Sequence, residues 1–428
     1  MNYKEFSREQ RDAELGNLWN EYNGIKEKGL KLNMARGVPS PEQLALSLGM
    51  LDILHGDADC RAEDGTDCRN YGVMDGIPEC KRLMGQVMGV TPDMVMVGGN
   101  SSLNMMFDTI ACFMNHPVLP GHPAWALVPD RKFRCPVPGY DRHFGVTEYF
   151  GFEMIPVPMD ENGPDMDMVE ELVKDPAVKG MWCVPKYSNP SGISYSDEVV
   201  RRIAALKPAA EDFRLMWDNA YCIHDLFDDH DEILNIFEEC EKTGNIDMPI
   251  EFCSTSKITF PGSGVAAMAA SENNMKVIKE KYKYQNIGFD KLNMLRHVRF
   301  FGDFEGMKAH MKKHAEILRP RFDIVLDKLS TRLEEYGVVS YNRPRGGYFV
   351  CVDVYDGTAK RVVALCKEAG VNLTGAGATY PYGNDPHDSN IRIAPSFPSL
   401  EDLSSAMDVF CICARIAALE KMNEQGLA

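Results

Sequence analysis

Residues 213–221 read FRLMWDNAY, and residues 250–257 read IEFCSTSK. Each is a short apolar run that breaks off on polar side chains, as a strand buried on both faces does. A third run of this kind, KGMWCVP (179–185), leads into KYSNPSG (186–192). A fourth, MVMVGG (94–99), leads into NSS (100–102), and GVAAMAAS (264–271) follows the lysine at 257. Amphipathic stretches lie between them, such as GIPECKRLMGQVMG, SSLNMMFDTIACFM and SDEVVRRIAALK. Apolar strands alternating with helices make the chain an α/β protein, built of βαβ units around a mostly parallel sheet.

The character changes near residue 306. A charged helical stretch runs from Met307 to about Tyr336 and is expected to be interrupted at Pro320. GYFVCVDV (347–354) and NIRIAP (390–395) read as strands, and a helix from Leu400 to about Asn423 closes the chain. Three segments are therefore expected. Residues 1–50 join a small domain, 51–305 form the large one, and 306–428 complete the small one, because chain ends tend to meet at the surface.

Composition narrows the function. The chain has 428 residues with a formal net charge of −17, which argues against a nucleic-acid backbone as partner. No apolar run is long enough for a membrane span, and the polar N-terminus lacks the apolar core of a secretory signal. Thirteen cysteines lie scattered without a CxxC pair, so neither a metal site nor a redox motif is expected, and reduced thiols in the cytoplasm are.

Open α/β sheets bind ligands beyond the carboxyl ends of their strands, so the residues after each strand are the candidates. Asn100, Ser101 and Ser102 open a helix, where free N–H groups and hydroxyls suit a phosphate. Asn189 sits in the turn after 179–185. Asp218 and Tyr221 follow the strand at 213–219, and a buried carboxylate there needs a cationic partner. Ser254, Ser256 and Lys257 follow the strand at 250–255. Each also fits a structural role alone: a helix cap for the serines, a turn for Asn189, a surface charge for Lys257. The ordered set carries the signal, with Asn189, Asp218-x-x-Tyr221 and Ser254-x-x-Lys257 after successive strands.

With those residues in place, the sequence resembles the class I and II aminotransferases of fold type I, enzymes dependent on pyridoxal 5'-phosphate (PLP). Within that family it is most similar to the aspartate aminotransferases of subgroup Ic and to the aminotransferase domain of MocR-type regulators. The likeness spans nearly the whole chain. It rests on Ala35-Arg36-Gly37-Val38-Pro39-Ser40-Pro41-Glu42-Gln43-Leu44, on Tyr71-Gly72-Val73-Met74-Asp75-Gly76 and on Ser254-Thr255-Ser256-Lys257-Ile258-Thr259. The resemblance implies a seven-stranded, mostly parallel sheet between helices and a smaller α/β domain. It implies Lys257 as the Schiff-base lysine, Asp218 as partner of the pyridinium nitrogen, and Asn189 and Tyr221 as donors to the phenolic oxygen. Asn100, Ser101, Ser102, Ser254 and Ser256 would hold the phosphate, and Tyr71 would reach it across a homodimer interface. Tyr140 would stack on the ring, and Arg392 with Gly37 and Asn189 would bind the substrate α-carboxylate, for which the guanidinium fork is suited. Two departures stand out. Pro261-Gly262-Ser263-Gly264 lacks the arginine many relatives place after the lysine, and His122–Cys135 lengthens the segment before Tyr140.

The reaction implied is a ping-pong transfer of an amino group from aspartate to 2-oxoglutarate, with Lys257 moving the α-proton. A distal carboxylate needs a second cation, for which Arg142 and Arg36 stand at suitable positions. A PLP-dependent lyase or decarboxylase is the alternative, since one fold hosts many reactions. A PLP-binding regulator would need a basic DNA-binding domain ahead of Ala35, and the acidic charge opposes it. A dehydrogenase would have to rest on Gly375-Ala376-Gly377, which lacks the rest of the dinucleotide fingerprint.

Overall fold

The computed structural model describes residues 2–426 of the chain. Thirteen strands occur among them: β1 (Leu32–Asn33), β2 (Val95–Val97), β3 (Lys132–Val137), β4 (Glu153–Asp160), β5 (Gly163–Pro164), β6 (Val178–Cys183), β7 (Arg214–Asp218), β8 (Pro249–Ser254), β9 (Ala266–Ala270), β10 (Val339–Tyr341), β11 (Val350–Val354), β12 (Val371–Asn372) and β13 (Asn390–Ile393). Eight of them form one sheet in the order β2-β9-β8-β7-β6-β3-β4-β5. From β8 through to β4 all neighbours run parallel. Strand β9 runs antiparallel to both β8 and β2. The eighth strand, β5, is a two-residue antiparallel return on β4, so the expected seven strands gain a short hairpin at one edge.

The inner strands read as continuous apolar runs because helices cover both faces. On one face, Leu83, Val200, Ile203 and Phe237 of the helices Pro78–Met88, Asp197–Ala204 and Ile236–Thr243 pack on Leu215 and Trp217. On the other, Met106, Ile110 and Phe113 of the helix Ser102–Asn115 pack on Met216, Phe252 and Met268. Alternate residues of β7 thus point to opposite cores, as the period of two demands.

A third core joins the two ends of the chain. Leu18 and Tyr22 of the helix Arg8–Lys26 meet Phe410, Ile416 and Leu419 of the helix Leu400–Glu424 and the inner faces of β11 and β13. Ser7 starts the first of these helices with a capping box closed by Gln10. Strands β10, β11 and β13 form an antiparallel sheet, and β1 pairs in parallel with β12. The helix expected to break at Pro320 is continuous over Phe304–Arg332. An interior proline costs about 3 kcal/mol, and burial at both ends of this helix offsets it. Met307 and Met311 pack into the large-sheet core, while Leu318, Phe322 and Val325 pack into the core of the chain ends. This one helix bridges the two bodies and straddles the change of character near residue 306.

Among the described residues, no helix is long and apolar enough to cross a membrane, no acidic, histidine and cysteine cluster suits a metal ion, and the thirteen cysteines are free thiols.

Candidate active site

A cavity of about 450 Å³ opens at the carboxyl ends of β6, β7 and β8. The segment 35–38 closes it on one side, and Phe349, Thr374 and Arg392 close it on another. Thirteen of the fifteen residues singled out from the sequence line it: Arg36, Gly37, Ser101, Ser102, Tyr140, Arg142, Asn189, Asp218, Tyr221, Ser254, Ser256, Lys257 and Arg392. They come from seven separate stretches of chain, and the sheet is what brings most of them together.

Lys257 lies three residues past the end of β8, with its Nζ 4.8 Å from the centroid of the Tyr221 ring. Burial holds its ammonium below the ordinary lysine range; the Asp218 carboxylate opposes this shift and the Arg392 cation adds to it. A lysine so placed gives up its proton more readily than one on the surface, which a nucleophile or base requires.

Asp218, the last residue of β7, is 3% exposed. Its Oδ2 lies 2.9 Å from His143 Nε2, while Oδ1 is buried with no hydrogen-bond partner. An unpaired buried carboxylate oxygen is costly unless a ligand meets it. His143 is itself fixed: its ring stacks on Trp182 at 4.1 Å with 5° between the planes. Trp182 in turn donates its Nε1–H to Thr147 Oγ1, which donates to the His143 carbonyl.

Arg392 projects from β13 and is 7% exposed. Its Nη1 donates to Asp141 Oδ1 at 3.0 Å and to Asn189 Oδ1 at 3.1 Å, and Nη2 reaches Thr374 Oγ1 at 3.4 Å. The guanidinium lies 4.9 Å over the Phe349 ring. Gly37 is placed against the same ring: a Cβ there would fall 2.5 Å from Phe349 Cζ. The absence of a side chain at 37 lets the segment 35–38 close over the arginine.

A cluster of hydroxyls lies at the start of the helix Ser102–Asn115. Ser101 caps this helix without a side-chain hydrogen bond of its own. Ser254 Oγ donates to Ser256 Oγ at 3.1 Å, and Ser256 Oγ donates to the Asn100 carbonyl at 3.0 Å. Free N–H groups, the positive end of the helix dipole and three hydroxyls together suit a phosphate.

Tyr140 lines the cavity with its ring 5.0 Å from that of His143 and nearly perpendicular to it. Burial, followed by the Asp218 and Asp141 charges, pushes its phenol up to about 12. The phenol of Tyr221 is likewise raised, first by burial. Both therefore remain hydrogen-bond donors at neutral pH.

Two expected residues stand apart. Asn100 lies beside the cavity but turns its amide to the Pro261 carbonyl at 3.3 Å, so only its backbone oxygen joins the serine cluster. Tyr71 is 83% exposed and outside the cavity. The loop 261–264, which lacks an arginine of its own, does have one against it: Arg296 Nη2 lies 3.4 Å from Ser263 Oγ. Four contributors carry no sequence motif that marks them: Asp141, His143, Phe349 and Thr374. Asp141 and His143 ride on the helix Asp141–Tyr149, whose start directly after Tyr140 was the available clue.

Fold and site together define an α/β protein whose cavity sets a buried lysine amine beside a buried carboxylate, with a buried arginine in its wall. Comparison with known proteins narrows the class. Residues 7–426 match the family model for aspartate amino-transferase. An aspartate aminotransferase of Corynebacterium glutamicum is 48% identical over 418 residues, 96% of each chain. The crystal structure of an aspartate transaminase from the same organism superposes with a TM-score of 0.96 at 46% identity, over 98% of this chain and 99% of that one. The α-aminoadipate aminotransferase LysN of Thermus thermophilus, solved with N-(5'-phosphopyridoxyl)-L-leucine, shares the fold with a TM-score of 0.71 at 19% identity. This chain belongs to the aspartate aminotransferase family. It is an aminotransferase, and a lyase or decarboxylase is not favoured.

Proposed function

We propose that the enzyme moves an amino group from aspartate to 2-oxoglutarate, with PLP bound covalently to Lys257. The observation that carries this reading is the pairing in one cavity of the Lys257 amine with the partnerless Oδ1 of Asp218. The donor set fits the cofactor. Asp218 Oδ1 would accept from its ring nitrogen, Asn189 and Tyr221 would serve its phenolic oxygen, and Ser101, Ser102, Ser254 and Ser256 would hold its phosphate. Tyr140 would cover its ring. When bound, PLP supplies an electron sink that lowers the barrier to breaking the substrate Cα–H bond.

The chain's own groups do the rest. Arg392 grips the α-carboxylate and so fixes the α-carbon. Lys257 Nζ, its basicity lowered by burial, would serve as the base that takes the α-proton and then as the acid that gives it back. His143 holds Asp218 Oδ2 and so fixes the direction in which Oδ1 faces. Arg142 and Arg36 line the mouth of the cavity and are the cations available to a distal carboxylate, which supports a dicarboxylic substrate. The exposed position of Tyr71 supports a role across a homodimer interface, and free thiols support a reducing, cytoplasmic setting.

The test is a screen of amino donors against 2-oxoglutarate, with product analysis. Oxaloacetate from aspartate, with alanine far poorer as donor, is expected. Alanine formed from aspartate would mean decarboxylation and would overturn the reading.

A further inference from the structure

Gln43, in the motif that runs from Ala35 to Leu44, has no part in the chemistry above. It is nevertheless fully buried on the short helix Pro41–Ala45. All the hydrogen-bonding capacity of its amide hydrogens is committed. Its Nε2 donates to the Tyr348 hydroxyl at 2.8 Å and lies 3.0 Å from His314 Nδ1, while its Oε1 accepts from the Ser40 N–H at 3.1 Å. Having accepted from Gln43, the Tyr348 hydroxyl donates to the backbone carbonyl of Lys257 at 3.2 Å. The next carbonyl, Ile258 O, lies 3.0 Å from His310 Nε2. Tyr348 and His314 are each 1% exposed. Burial holds His314 down at about 3, so at neutral pH its Nδ1 is free to accept. Three distant segments thus converge on the main chain that bears the Lys257 amine.

Both ends of this chain of contacts lie close in sequence to residues that line the cavity. Gln43 is six residues from Gly37, in the segment that closes the cavity. Tyr348 precedes Phe349, whose ring carries the Arg392 guanidinium. We propose that Gln43 and Tyr348 are positioning residues for Lys257: they tie its backbone to the two elements that receive the substrate carboxylate, so that closure of the segment 35–38 and placement of the amine are coupled. This rests on the reading that Lys257 carries the chemistry. A buried polar network of this kind is suited to the task, because it favours one arrangement of the main chain and penalises others.

The experiment compares wild type with Tyr348→Phe, which removes only the hydroxyl. Amide hydrogen exchange of residues 255–260 is followed in the cofactor-free protein, and steady-state kinetics in the loaded one. Loss of one hydrogen bond of ordinary strength is expected to speed exchange of this segment by about five- to tenfold, with a similar fall in kcat and little change in KM. Exchange at the wild-type rate overturns the proposal, as does a loss confined to KM. Should Tyr348→Phe fail to fold, Gln43→Met leaves the tyrosine in place and is expected to give a smaller change in the same direction; wild-type exchange there also overturns it. If Lys257 were not the reactive group, Lys257→Ala would stay active while exchange in Tyr348→Phe still quickened, so the two failures are told apart.

Discussion

Arg392→Lys keeps the charge and discards the fork, and so tests how the substrate is held. The guanidinium is 7% exposed, spends Nη1 on Asp141 and Asn189, and rests on Phe349. A lysine ammonium is a point charge that can neither make two parallel bonds to a carboxylate nor lie flat on the ring. The substrate carboxylate then loses about one charge-assisted hydrogen bond, worth about 1.5–3 kcal/mol. At about 1.4 kcal/mol per decade this is a drop of roughly 10- to 150-fold in kcat/KM. Amino donor and oxo acceptor both carry the carboxylate, so both half-reactions are expected to fall by similar factors. Initial rates with each substrate varied in turn give the two values, and the melting temperature and cofactor absorbance serve as controls for folding. A kcat/KM within about threefold of wild type, or a loss for the donor alone, would refute the reasoning.

Three further outcomes follow from the same geometry. Arg142→Ala should lower kcat/KM for aspartate far more than for alanine; equal, unchanged values for both would remove Arg142 from substrate recognition. Gly37→Ala places a methyl group 2.5 Å from Phe349 Cζ and should raise KM as the ring under Arg392 shifts, with an overpacking cost of about 1–3 kcal/mol visible in denaturant unfolding. Glu251 is buried on β8, accepts from Asn219 Nδ2 at 2.8 Å, and is pushed by burial to about 8. Between the ordinary glutamate range and pH 8 the folded chain therefore holds a proton that the unfolded chain has released. Its contribution is present at low pH and is lost as pH rises through that window, by about 1.4 kcal/mol per pH unit. Glu251→Gln should flatten the dependence, and parallel unfolding curves from pH 5 to 8 for the two proteins would contradict this.

The parts of the site that could be read in the sequence were those at the ends of apolar strands. Asp218 and Lys257 interrupt β-favouring runs where nothing structural asks for a charge, and Asn189 follows a third such run. Two strands beside them, β3 and β4, were obscured. Strand β3 carries Arg134, which is fully buried with its charge spent on the Val169 carbonyl and the Phe213 ring. Strand β4 carries Pro156 and Pro158, which read as breakers. His143 was hidden for a different reason. Its partner Asp218 lies 75 residues away, and a lone histidine in DRHFGVTEY has no periodic signature. Pro320 misled in the opposite sense, because local propensity yields to burial at both ends of a long helix. What escaped the sequence is long-range pairing, which neither spacing nor composition encodes.

The central claim is that Lys257 is the residue that holds the cofactor. Incubating the protein with PLP, reducing with borohydride and mapping the peptides by mass spectrometry tests it directly. A phosphopyridoxyl group on Lys257, absent from Lys257→Ala, is the expected result. The same group on another lysine, or none on Lys257 in active enzyme, would contradict the account.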